Sequence, residues 1–114
     1  MSFRVIDNPD FKKFKAHAGF KNHEFKLLAG LFSRAAADKV LFDISVNVDF
    51  DEGICSFAYY KSAHAPAYLE LIIRQVGPRT SMYELYKEGK GRIAKSGLFQ
   101  RVYERLEREV EELL

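Results

Sequence analysis

Val40-Leu41-Phe42-Asp43-Ile44-Ser45-Val46-Asn47-Val48-Asp49-Phe50 is the stretch whose pattern decides the fold. Every even position is apolar and, Leu41 apart, the odd positions between the ends are polar. Side chains alternate between the two faces of a strand, so this period of two predicts a half-buried strand. Phe42, Ile44, Val46 and Val48 are expected in the core, with Asp43, Ser45 and Asn47 toward water or a partner.

Downstream, Asp51-Glu52-Gly53 supplies a turn and Ile54 to Lys61 returns as the hairpin partner. If the loop is Asp51-Glu52, residue 50 pairs with 53, and Cys55, Phe57 and Tyr59 share a face with Val46 and Val48. If Gly53 joins the loop as a bulge, that set flips to the other face. The first register is preferred because it buries the larger side chains. A loop, Ser62-Ala63-His64-Ala65-Pro66, leads to a third strand over about 67–76 with Leu69, Leu71 and Ile73 inward. Gly77-Pro78-Arg79 turns into a fourth strand over about 81–87, and Glu88-Gly89-Lys90-Gly91 turns into a short fifth, Arg92-Ile93-Ala94.

Upstream, Asn8-Pro9-Asp10 combines a preferred N-cap, a proline suited to the first helical position and an acid that favours the helix dipole. A brief helix over about 9–17 is expected, with Phe11 and Phe14 on one side and Gly19 as its stop. A second runs from about Asn22 to Ala37, where Phe25, Leu28, Phe32 and Ala35 form a stripe widened by Leu31 and Ala36. The last covers about 98–114, with Phe99, Val102, Leu106, Val110 and Leu113 as its stripe. The predicted class is α+β in one domain, 1–114: two N-terminal helices, an antiparallel four- to five-stranded meander sheet and a long C-terminal helix.

Composition bounds the function classes. The chain has 114 residues, 47% apolar and 30% charged, far from the disordered regime. No run reaches the ~18 apolar residues of a membrane helix. MSFRVIDNPD lacks an apolar signal core, and Cys55 is the only cysteine, which rules out an intramolecular disulfide and a Cys-based zinc site. A reducing, cytoplasmic setting is expected, with no cofactor and no metal. Net charge is +2, but residues 40–60 hold four acids and no base, whereas 61–97 hold seven bases and three acids.

Candidate sites are weighed against ordinary structural roles. Cys55 with His64, His17 or His23 is the nucleophile-and-base option, but a lone strand cysteine is usually a small core residue. Asp49, Asp51 and Glu52 crowd one turn without the ligand pattern of a calcium loop, and acids there are ordinary turn formers. Gly89-Lys90-Gly91-Arg92 lacks Walker spacing and the strand–loop–helix setting. Lys12, Lys13 and Lys15 interleave with Phe11 and Phe14. With Arg74, Arg79, Lys90 and Arg92 they make the case for a basic nucleic-acid-binding domain, although phenylalanines at helical spacing point inward.

The least ordinary feature is the outer sheet face. The register turns Ala58, Tyr60, Tyr68, Ile72, Val76, Met82 and Tyr86 outward, where a solvated face is mostly polar. A helix over this face, a partner or a ligand cleft would each explain it. The leading expectation is a non-catalytic binding module, a homodimer, with Tyr60, Tyr68, Ile72, Met82 and Tyr86 as its binding residues and room for a protein or small-molecule partner. Nucleic-acid binding comes second, and an enzyme using the open face third.

Overall fold

The computed structural model describes residues 20–49 and 51–114. Its elements are α1 (Asn22–Ala37), β1 (Asp43–Asp49), β2 (Ile54–Tyr60), β3 (Leu69–Gly77), β4 (Thr80–Lys87), β5 (Gly91–Ser96) and α2 (Phe99–Glu111). The strands form one five-stranded antiparallel sheet in the order β1-β2-β3-β4-β5, as short turns between consecutive strands require.

The expected architecture needs correcting in its helices. Among the described residues one helix, not two, precedes the sheet, and the helix expected over 9–17 lies outside them. The C-terminal helix has 13 residues, ending at Glu111 instead of 114. Its last acids, Glu111 and Glu112, sit at the negative end of the helix dipole, which gives them nothing to gain from another turn.

The register across the first turn puts Asp49 opposite Ile54 and Ile44 opposite Tyr59. Cys55, Phe57 and Tyr59 therefore share the face of Val46 and Val48. Gly53 does belong to the turn, with φ of 64°, yet the face assignment is that of the two-residue loop because the pairing beyond it is unshifted. Asp49 Oδ1 accepts a hydrogen bond from Glu52 N–H at 3.1 Å and so closes the turn.

Both helices lie on the face carrying Ile44, Phe57, Tyr59, Leu69, Leu71, Ile73 and Leu85, and together they enclose the core. Phe25 packs edge-on to Phe57 and Phe32 to Tyr59. Tyr59 also donates to the Leu28 carbonyl at 2.6 Å, so its buried hydroxyl ties β2 to α1. On α2, Phe99 stacks against Tyr103 and meets Tyr83 edge-on. The expected stripes are present, but α1 also buries Glu24, and α2 buries Tyr103 and Glu109.

Phe42 was expected in the core and is 47% exposed, whereas Leu41 is buried. The strand begins only at Asp43, so the period of two does not reach back to residue 42. Among the described residues, no helix is long and apolar enough to cross a membrane.

Candidate interaction face of the sheet

The second sheet face is built row by row from the register. Its central row runs Asn47, Ser56, Ile72, Glu84, Lys95, and the next runs Ser45, Ala58, Glu70, Tyr86, Arg92. A third begins Asp49, Ile54, Arg74, Met82. Tyr60, Ile72, Met82 and Tyr86 are half-buried, and Asn47, Asp49, Arg92 and Lys95 are exposed. Among the described residues both helices pack on the opposite face, so none of them covers this one.

The centre is more polar than the tyrosine pattern implied. Glu84 is only 5% exposed. Its Oε1 accepts from Tyr86 Oη at 2.9 Å and from Arg74 Nη2 at 3.3 Å, and Arg92 Nη1 is 3.8 Å from Oε2. Burial pushes its carboxyl upward, but the Tyr86 and Arg74 hydrogen bonds and the charges of Arg74 and Arg92 outweigh it. The net position is below the ordinary carboxylate range. Tyr86, in turn, is raised by burial and by the carboxylate it serves. At the β1 side, Ser45 Oγ and Tyr60 Oη lie 2.9 Å apart.

Tyr60, Ile72, Met82 and Tyr86 thus share one face, as their alternation predicts. Tyr68 does not join them, because its ring packs against the core side. Lys61 Nζ stands 3.9 Å from the ring centroid and Lys87 Nζ 5.7 Å away. Tyr68 precedes β3 by one residue, so the strand alternation does not bind it, and cation–π contact with two lysines favours the inward position. Alternation through Ile72 and Met82 also assigned Glu70, Arg74 and Glu84 to the outer face. That signal is present in the sequence, since Glu70, Arg74 and Glu84 share the parity of Ile72 and Met82 in the strand pairing.

The face is polarised from edge to edge. β1 carries Asp43 and Asp49, whereas β5 carries Arg92 and Lys95. The remaining basic candidates do not converge. Arg79 is in the β3–β4 turn and Lys90 in the β4–β5 turn, at opposite ends of β4, some ~25 Å apart at strand rise. Arg74 and Arg92 are engaged by Glu84, and Lys12, Lys13 and Lys15 lie outside the described residues. Lys87 is on the helix side, where its Nζ donates to Glu109 at 2.6 Å.

Cys55 is fully buried, and burial pushes its thiol up to about 12. That leaves it protonated and shielded, the opposite of an activated nucleophile. His64 is exposed in the β2–β3 loop, and His23 meets Phe99 edge-on; His17 lies outside the described residues. Among those residues no three His, Cys, Asp or Glu side chains cluster to hold a metal ion. Gly89 and Gly91 both have left-handed backbone, so Gly89 and Lys90 turn the chain and Gly91 and Arg92 open β5.

Comparison with protein-family models, curated proteins and solved structures finds no match to this chain.

Proposed function

We propose that this chain is a binding module that works by self-association through the sheet face that no described helix covers. One observation carries the reading. Tyr60, Ile72, Met82 and Tyr86 stand half-buried on a face that no described helix covers, while both helices enclose the other face. Tyrosine and methionine suit interfaces, where an apolar body is covered and a polar tip keeps a partner. The buried carboxylate at the centre does not oppose this. Glu84 already holds its tyrosine and arginine partners within the chain, so covering it strands no unpaired charge. A second copy is the occupant favoured here, since closed two-fold dimers are the commonest homo-oligomers. The free, buried Cys55 accords with a reducing cytoplasmic setting, which belongs to the same proposal.

The test is mass by light scattering beside circular dichroism, for wild type and Ile72→Asp. The wild type is expected to be a dimer at micromolar concentration. The variant should be a monomer with an unchanged spectrum, because Ile72 is only half-buried within one copy. A wild type that stays monomeric at high micromolar concentration overturns the proposal.

A further inference from the structure

We infer that β1 is a docking edge, which takes an extended segment of alternating basic and apolar residues from another protein as an added strand. The inference stands apart from the self-association proposed above, because it uses the edge of the sheet and not its face. Backbone bonds on β2 fix which way β1 points. Gln75 N–H donates to the Gly53 carbonyl and Tyr68 N–H to the Tyr59 carbonyl, so odd-numbered residues from Gly53 to Tyr59 face β3. The even-numbered residues of β2 then face β1, where their partners are Asp43, Ser45, Asn47 and Asp49. Ile44, Val46 and Val48 therefore turn their N–H and carbonyl groups away from the sheet. Ile44 N–H accordingly donates to the neighbouring Asp43 Oδ1 at 2.8 Å, and among the described residues no strand lies beyond β1.

The two edges of the sheet are not alike. At β5 the register shifts beside Leu85 and Tyr86, and the Ile93 carbonyl accepts from Arg105 Nη1 at 3.4 Å. A bulge, an engaged carbonyl and the exposed Lys95 all work against strand pairing there. β1 is seven residues long and its register is unshifted. Val46 and Val48 stand on the core face yet are only half-buried, which leaves an apolar shelf at this rim.

The shelf and the charges specify the occupant. Side chains directly opposite each other across a strand pair share a face. An added strand sets every second residue beside Ile44, Val46 and Val48, where apolar groups extend the core. The residues between them stand beside Asp43, Asn47 and Asp49, and residues 40–60 hold four acids and no base. Lysine or arginine complements that side. The same acids disfavour a second copy, since antiparallel pairing of β1 with itself about Val46 sets Asp43 of one copy against Asp49 of the other. Main-chain bonds to Val46 and Val48 thus supply affinity, and the alternating side chains supply specificity.

The probe is an acetylated and amidated peptide of alternating lysine and valine, as long as β1, read by amide hydrogen exchange in NMR spectra of the full chain. In the chain alone the Ser45 and Asn47 amides, which face β2, should be protected, while those of Val46 and Val48 exchange fast. Saturating peptide should slow Val46 and Val48 by about tenfold or more and leave Ser45 and Asn47 unchanged. The same peptide with glutamate in place of lysine should bind about tenfold more weakly or not at all. Asp43→Asn/Asp49→Asn keeps both side-chain acceptors and removes the charges, so it should loosen the lysine peptide by about two- to thirty-fold. Val46→Pro deletes the central edge donor without touching the β1–β2 ladder and should abolish binding. Should that variant fold poorly, the double asparagine variant decides. No binding of the lysine peptide, binding that protects neither Val46 nor Val48, or equal binding of the glutamate peptide overturns the inference. Protection of Val46 and Val48 in the chain alone overturns it too. It would assign the edge to a second copy if it grows with protein concentration, and to the chain's own residues if it does not.

Discussion

Ile72 and Glu84 stand directly opposite each other across β3 and β4, an aliphatic side chain beside a buried carboxylate in the middle of one sheet face. Arg74, Tyr86 and Arg92 satisfy the carboxylate, and the methylene stems of the arginines leave the site partly apolar.

Acid should therefore weaken the fold through specific carboxylates. Glu109 is held below the ordinary range by its hydrogen bond from Lys87, against burial and with help from Arg105. Glu84 is lowered on balance as well. A carboxyl depressed in the folded state adds stability that is complete above its unfolded value, about 4.3, and is lost as pH falls through the folded value. Urea titrations at pH 7, 5 and 3 should show the wild type losing stability mainly below pH 5. Glu109→Gln should be weaker than wild type at pH 7, with the gap closing toward pH 3. A gap independent of pH would contradict the assignment.

The strand pattern yields a graded series in denaturant. Ile44→Ala removes a buried side chain and should cost ~2–4 kcal/mol. Phe42→Ala should cost less than ~1 kcal/mol, because half of the ring is already exposed. Ser45→Ala should fall near ~0.5–1 kcal/mol, since its hydroxyl meets Tyr60 on the outer face. Equal losses at positions 42 and 44 would remove the assignment of the strand start.

Cys55 should be silent until the protein unfolds. Raising a thiol from the ordinary value of 9.0 to about 12 cuts the thiolate by roughly a thousandfold. Labelling with a disulfide reagent at pH 8 should be very slow in buffer and rapid in 6 M guanidinium. Fast labelling of the native chain would mean that the β2 core opens readily.

Lys39 is a backbone position that the sequence did not advertise. Its φ is 62°, and it closes α1 with Lys39 N–H donating to the Ala36 carbonyl and Val40 N–H to that of Ala35. This is the cap geometry that usually employs glycine. Lys39→Gly should stabilise the fold by up to ~1 kcal/mol in a thermal or denaturant melt. A loss of similar size would show that the lysine side chain matters more there than its backbone.

Much of this architecture was legible in the residues alone. Alternation from Asp43 to Asp49 identified β1, helical spacing from Phe25 to Ala35 identified α1, and the parity of the Asp51–Gly53 turn assigned the faces of β1 and β2. Those signals are local, because each depends on the period of one element or the length of one turn. Tertiary structure decided the rest. Phe42 escapes the core because the strand begins one residue later, and Tyr68 turns inward because Lys61 and Lys87 arrive from separate segments. Glu24, Glu84 and Glu109 are buried because Tyr83, Arg74, Arg92 and Lys87 reach them from other elements or strands. Burying a carboxylate is unfavourable until its partners are in place, and no period within a single strand or helix records whether they will be.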